Sequence, residues 1–252
     1  MKPILKDLLN KFSRIIFYIY RFIYYIIPVE LRTKLELKLR SKLQSKLQSK
    51  IEDNLVDEIS HHFKDNFKNS LLFDDKWKIR EHAIKTSLLN DKNKEYYYLE
   101  FGVFEGTTAN YFSKFVNKLY CFDSFEGLND DWAGTSEPKS AFNLNKKIPK
   151  LNSNVEPVIG WVEDTLGDFL KKHNPKINFV HLDMDLYSPT RLTLEKLKPY
   201  LIKDAVIIFD ELYNYIGWEN GEYKALKEVF KEDEFEYKSF NLFGCQCMVK
   251  LK

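Results

Sequence analysis

From residue 96 onward the chain alternates short apolar runs with stretches of helical character, and this alternation constrains the fold more than any other feature. The apolar runs fall at 96–101, 118–122, 155–159, 178–182 and 205–209, with helices expected near 107–116, 165–172, 189–198 and 222–231. Strands that alternate with helices build a parallel sheet covered on both faces. Two last runs, 235–240 and 245–250, are joined by Asn241, Leu242, Phe243 and Gly244, a hairpin spacing that predicts an antiparallel end to the sheet. The expected architecture is therefore α/β: a doubly wound, mostly parallel, seven-stranded Rossmann-like sheet with an antiparallel C-terminal strand, preceded by a helical extension.

Charge separates that extension from the rest. The total is 39 Lys and Arg against 37 Asp and Glu, yet residues 1–52 hold twelve basic and four acidic groups, leaving 27 basic and 33 acidic groups beyond them. Residues 15–27 are apolar or aromatic apart from Arg21, a run shorter than the roughly 17–25 residues of a bilayer span. No small-residue cleavage site follows, so the segment reads as retained. After Pro28, the residues Leu31, Leu35, Leu39, Leu43, Leu47 and Ile51 recur at four-residue steps with basic residues between them. Each step overshoots a full turn by about 40°, so the stripe winds around its helix. A basic helix of this kind suits an anionic membrane surface, a partner groove including a second copy of the chain, or its own domain. The division expected is 1–52 as basic extension, 53–92 as polar helical connector and 93–252 as catalytic domain. The expected location is cytoplasmic and peripheral on the inner face of a membrane, with no nucleic-acid partner. Nine Gly and eight Pro exclude a collagen-like or low-complexity chain, and three Cys are too few for a disulfide scaffold.

Chemistry collects at the ends of the predicted strands. The first strand runs into Glu100-Phe101-Gly102-Val103-Phe104-Glu105-Gly106-Thr107-Thr108, and Asp123 ends the second. Gly102 permits a sharp turn, Gly106 lets a ligand approach a helix start, and an acid placed like Asp123 suits a ribose diol. The spacing is Gly-x-x-x-Gly, without the pattern of pyrophosphate-binding turns, so a nucleoside cofactor such as S-adenosylmethionine fits better than a dinucleotide. A tight turn and helix cap would explain the same residues. The later strands end in His181-Leu182-Asp183-Met184-Asp185 and Asp210-Glu211. Carboxylates crowded at one sheet edge repel unless a hard cation such as Mg²⁺ joins them. Asp183, Asp210 and Glu211 are the candidate ligands, with Asp183 or Asp185 to take a proton. Asp185 also suits shaping the loop ahead of Ser188-Pro189, and His181 reads as a satisfied core histidine.

Residues 99–226 resemble the macrocin O-methyltransferase-like family, class I S-adenosylmethionine-dependent enzymes that methylate sugar hydroxyls. The similarity lies in EFGVFEGTT, FDSFEGL at 122–128, GWVEDTL at 160–166, HLDMDLYSPT at 181–190, FDEL at 209–212 and the Trp-x-x-Gly-Glu-x-Lys-Ala pattern at 218–225. The resemblance implies that Glu100, Gly102, Gly106 and Asp123 contact the cofactor, Thr107 and Asp183 adjoining it, and that Asp183, Asp210 and Glu211 hold Mg²⁺ beside a saccharide acceptor. It departs from the family pattern at Glu211, where Asp is usual, and at Trp161, where an acid often meets adenine; Trp161 would then stack on adenine or simply pack. A methyltransferase-like assembly factor and another nucleotide-dependent enzyme are the alternatives.

Overall fold

The computed structural model describes residues 28–252, so the apolar run at 15–27 lies outside the described residues. The chain divides between Asn54 and Leu55 into two units. From Val29 the first unit is helical, part of helix α1 (Val29–His62), on which Leu31, Leu35, Leu39, Leu43 and Leu47 are all exposed. Among the described residues no helix is long and apolar enough to cross a membrane.

The second unit is built on eight strands: β1 (Leu71–Phe73), β2 (Tyr97–Phe101), β3 (Leu119–Asp123), β4 (Val155–Ile159), β5 (Ile177–Leu182), β6 (Leu201–Phe209), β7 (Phe235–Asn241) and β8 (Cys247–Leu251). They lie in the order β1-β7-β8-β6-β5-β2-β3-β4. The pairs from β6 to β4 are parallel, and β8 runs antiparallel to both β6 and β7. The expected sheet has seven strands; the eighth is β1, only three residues long, which pairs in parallel with β7. The stretch 53–92 takes part in the sheet and its core. It supplies the short α2 (Lys64–Lys68), β1, and α3 (Lys76–Leu88), whose Ile79, Ala83 and Ile84 are buried in the core. Asp75 caps α3 by accepting the Trp77 and Lys78 N–H groups.

Alternate strand residues enter two separate cores, as the two-residue period of a strand requires. One holds Leu99, Phe101, Phe122, Val180, Leu182 and Ile207, covered by α5 (Val162–His173), α6 (Tyr187–Leu197) and α7 (Glu222–Val229). The other holds Tyr98, Cys121, Phe179, Val206 and Ile208, covered by α3 and α4 (Thr107–Phe112). Glu100 and His181 fall on the α3 side by the same parity, and the loops after β2, β3, β5 and β6 open at the carboxyl edge between the layers.

Candidate active site

The carboxyl edge carries a cavity of about 310 Å³. It is lined by the β2–α4 turn from Gly102 to Phe104, by Asp123 and Trp161, and by Asp183, Asp185 and Glu211. Such a concave, largely apolar pocket with a few converging polar groups is the ordinary form of a ligand site.

The glycine turn is shaped by the protein's own backbone. Gly102 has a φ of +86°, and a Cβ there would stand 1.7 Å from the Asp183 carbonyl oxygen, so no side chain fits where β2 passes the end of β5. Gly106, with φ +77°, does not line the cavity; a Cβ would meet the Leu151 side chain at 2.7 Å. Thr107 is exposed and also stands outside it. Asp123 lines the cavity, but Oδ2 accepts from the Val103 and Phe104 N–H groups at 2.7 and 2.9 Å, and Oδ1 from Phe125 N–H at 2.6 Å. It braces the turn first and has one lone-pair position left for a ligand. Trp161 immediately precedes α5 and is half-buried in the cavity wall.

Glu100 points elsewhere than expected. It is wholly buried, and its carboxylate meets His181 Nδ1 at 3.0 Å while His181 Nε2 meets Asp210 Oδ1 at 3.2 Å. With a carboxylate oxygen at each ring nitrogen, both nitrogens must donate, so the ring is an imidazolium. Burial opposes that charge, but the hydrogen bonds to Asp210 and Glu100 outweigh it and push the pKa up to about 10. Asp210 is further gripped by Arg80, from Nε at 3.0 Å and Nη2 at 2.6 and 2.7 Å, and by Gln246 Nε2 at 3.1 Å. Against its burial, the His181 hydrogen bond and the Arg80 charge hold it well below the usual carboxylate range. Its oxygens thus already accept from Arg80, His181 and Gln246, and with His181 and Asp183 it forms one of two groups among the described residues close enough to share a cation.

The other group includes Asp185. Ligand oxygens of Asp183, Asp185 and Glu211 lie within 4.8 Å of one another, and among the described residues no side chain donates a hydrogen bond to any of the three carboxylates. Asp185 is buried at a φ of +63°, a left-handed conformation that a non-glycine residue holds only when its surroundings impose it. Burial and then the charge of Asp210 push its pKa up to about 7, and the same two causes raise Asp183 and Glu211 well above the carboxylate range. Glu211 Oε2 is buried with no partner. An all-oxygen donor set, mutually repelling and with an orphaned oxygen, fits a hard divalent cation.

Sequence reasoning missed Arg80, Gln246 and Glu222, whose Oε2 accepts the Glu211 N–H at 3.0 Å. For Arg80 a signal existed: it sits beside Ile79, Ala83 and Ile84 on the apolar stripe of its helix.

A protein-family model described as a methyltransferase domain matches residues 99–212. No curated protein matches the sequence. Among solved structures, the calicheamicin methyltransferase CalS11 is similar at 19% identity over 99% of this chain and 93% of that chain, with a TM-score of 0.51. An apo structure of CalS11, described as a TDP-rhamnose 3′-O-methyltransferase of calicheamicin biosynthesis, aligns at 20% identity over 70% of this chain and 81% of that one, TM-score 0.51. The O-methyltransferase NovP aligns at 17% identity over 69% and 78%, TM-score 0.51. At such identities the likeness is one of fold: residues 99–212 match a methyltransferase domain and the chain shares the fold of the O-methyltransferases CalS11 and NovP, in keeping with the sequence resemblance.

Proposed function

We propose that the protein transfers a methyl group from S-adenosylmethionine to a hydroxyl oxygen of a saccharide, assisted by a divalent cation, with Mg²⁺ as the cation its ligands favour. The observation that carries this reading is one cavity lined by two unlike sets of residues: the β2–α4 turn, Asp123 and Trp161, and the clustered carboxylates of Asp183, Asp185 and Glu211. The saccharide acceptor draws support from the TDP-rhamnose methylation named for CalS11.

S-adenosylmethionine supplies a methyl group on a positively charged sulfur that departs as a neutral thioether. Trp161 offers an aromatic face to the adenine, and the remaining acceptor position of Asp123 suits a ribose hydroxyl. Asp183, Asp185 and Glu211 would hold the cation, whose charge offsets their repulsion and favours negative charge developing on the acceptor oxygen. As the oxygen–carbon bond forms and the carbon–sulfur bond breaks, the hydroxyl proton must leave. Asp183 and Asp185, beside the acceptor, are the candidates to receive it. Incubation with S-adenosylmethionine and nucleotide-activated or lipid-linked sugars, followed by mass spectrometry, tests the reading: the product gains one methyl in place of one hydrogen, and chelator suppresses it. Full turnover in chelator refutes the cation.

Residues 1–52 would bring the enzyme to an anionic membrane surface, a reading supported by their excess of basic groups and the exposed leucines of α1. Sedimentation with anionic vesicles at low salt, lost on removal of residues 1–52, is expected; self-association without vesicle binding would instead assign the helix to a second copy of the chain.

A further inference from the structure

Glu222 has no part in the reaction above, yet it is among the most confined acids of the described residues. It opens α7 and is wholly buried. Its Oε2 accepts the Glu211 backbone N–H at 3.0 Å, whereas Oε1 is buried with no partner. Glu211 Oε2 is likewise buried and unpartnered. Neither protonation state relieves Oε1. Ionised, it is a bare charge removed from water; protonated, its O–H has nothing to donate to. The helix dipole at the start of α7 favours an acid, but an acid on the surface would serve it equally, and the dipole leaves Oε1 without a partner. Gly221 shows how closely the residue is packed, since a Cβ there would lie 2.0 Å from the Tyr215 hydroxyl oxygen.

We infer that Glu222 is a positioning residue behind the cation site, holding the Glu211 backbone through Oε2 and adding its negative charge behind the three carboxylates. The inference rests on the reading that Asp183, Asp185 and Glu211 hold a divalent cation. A group one layer behind the ligands fixes their orientation and tunes affinity, and its loss typically weakens metal binding by about 10–100-fold.

The test is a titration with Mn²⁺ alone, read by water-proton relaxation, on the full chain and its Glu222→Gln and Asp183→Asn variants. Glutamine keeps the shape and an oxygen for the Glu211 N–H, so the cation-free melting temperature should not fall. Mn²⁺ binding to wild type, its loss in Asp183→Asn and a drop of about 10–100-fold in Glu222→Gln support the proposal. Equal affinity in Glu222→Gln and wild type, with Asp183→Asn defective, overturns the role of Glu222 and leaves the cation reading standing. Wild type that binds no Mn²⁺ overturns the cation reading and this proposal with it. If Glu222→Gln fails to fold, Glu222→Asp, which keeps the charge and shortens the reach, is judged by the same outcomes.

Discussion

Two groups of acids sit side by side at one sheet edge and behave in opposite ways. On the α3 side, Glu100 and Asp210 alternate with two cations, His181 and Arg80, in one hydrogen-bonded chain. On the cavity side, Asp183, Asp185 and Glu211 face one another with Glu222 behind, and among the described residues none of the three carboxylates accepts a hydrogen bond from a cation. Asp183 belongs to the junction, since its carboxylate lies within 4.8 Å of the nearest His181 and Asp210 atoms as well. The difference teaches how to separate architecture from chemistry at such an edge. Carboxylates with all lone pairs met brace the strands, whereas those left to repel each other await a ligand.

The largest expected effect comes from breaking the neutral chain. Arg80→Met strands Asp210 as an uncompensated buried charge and should cost about 3–5 kcal/mol in urea denaturation. Adding Asp210→Asn should return part of that loss; if Arg80→Met is as stable as wild type, the contrast fails. The opposite sign is expected on the cavity side. Asp185→Asn removes a repelling charge, so without cation at pH 8 it should gain about 1 kcal/mol, or about 2–4 °C in melting temperature, while losing the stabilisation that Mg²⁺ gives wild type.

The two groups should also answer pH differently. His181 has a pKa raised from 6.5 to about 10, so its contribution is complete below pH 6.5 and is lost as pH climbs through 10. Asp185 is raised from 3.8 to about 7, so its neutral form favours the fold in acid and that advantage is gone above pH 7. Melting curves of the cation-free protein should therefore fall in two steps, and Mg²⁺ should flatten the lower one alone. The smallest effect belongs to the cofactor wall: Trp161→Ala should weaken S-adenosylmethionine binding by about 0.5–1.5 kcal/mol in calorimetry, leaving the Mg²⁺ response of stability intact.

Much of this was open to reading from the chain, and the reasons for the rest are physical. Strand alternation announces itself because buried parallel strands must be apolar throughout, and acids such as Asp183, Asp185 and Glu211 stand out where they end those runs. β1 did not, because Leu71–Phe73 is three residues long and gains its strand character only from β7. Asp210 looked the same as Asp183 in sequence; what separates them is Arg80, 130 positions away, and only tertiary packing brings that guanidinium to it. Glycines carried their conformation plainly but not their neighbours: Gly102 is set by the Asp183 carbonyl and Gly106 by Leu151. Whether Asp123 serves the cofactor or the turn depends likewise on backbone amides that no spacing shows.

Crystals grown with Mn²⁺ and measured at a wavelength where manganese scatters anomalously test the central claim most directly. The account predicts one anomalous peak among the carboxylates of Asp183, Asp185 and Glu211, with Arg80 still paired to Asp210. A peak ligated by Asp210 with Arg80 turned away, or no peak at this edge at all, would contradict it.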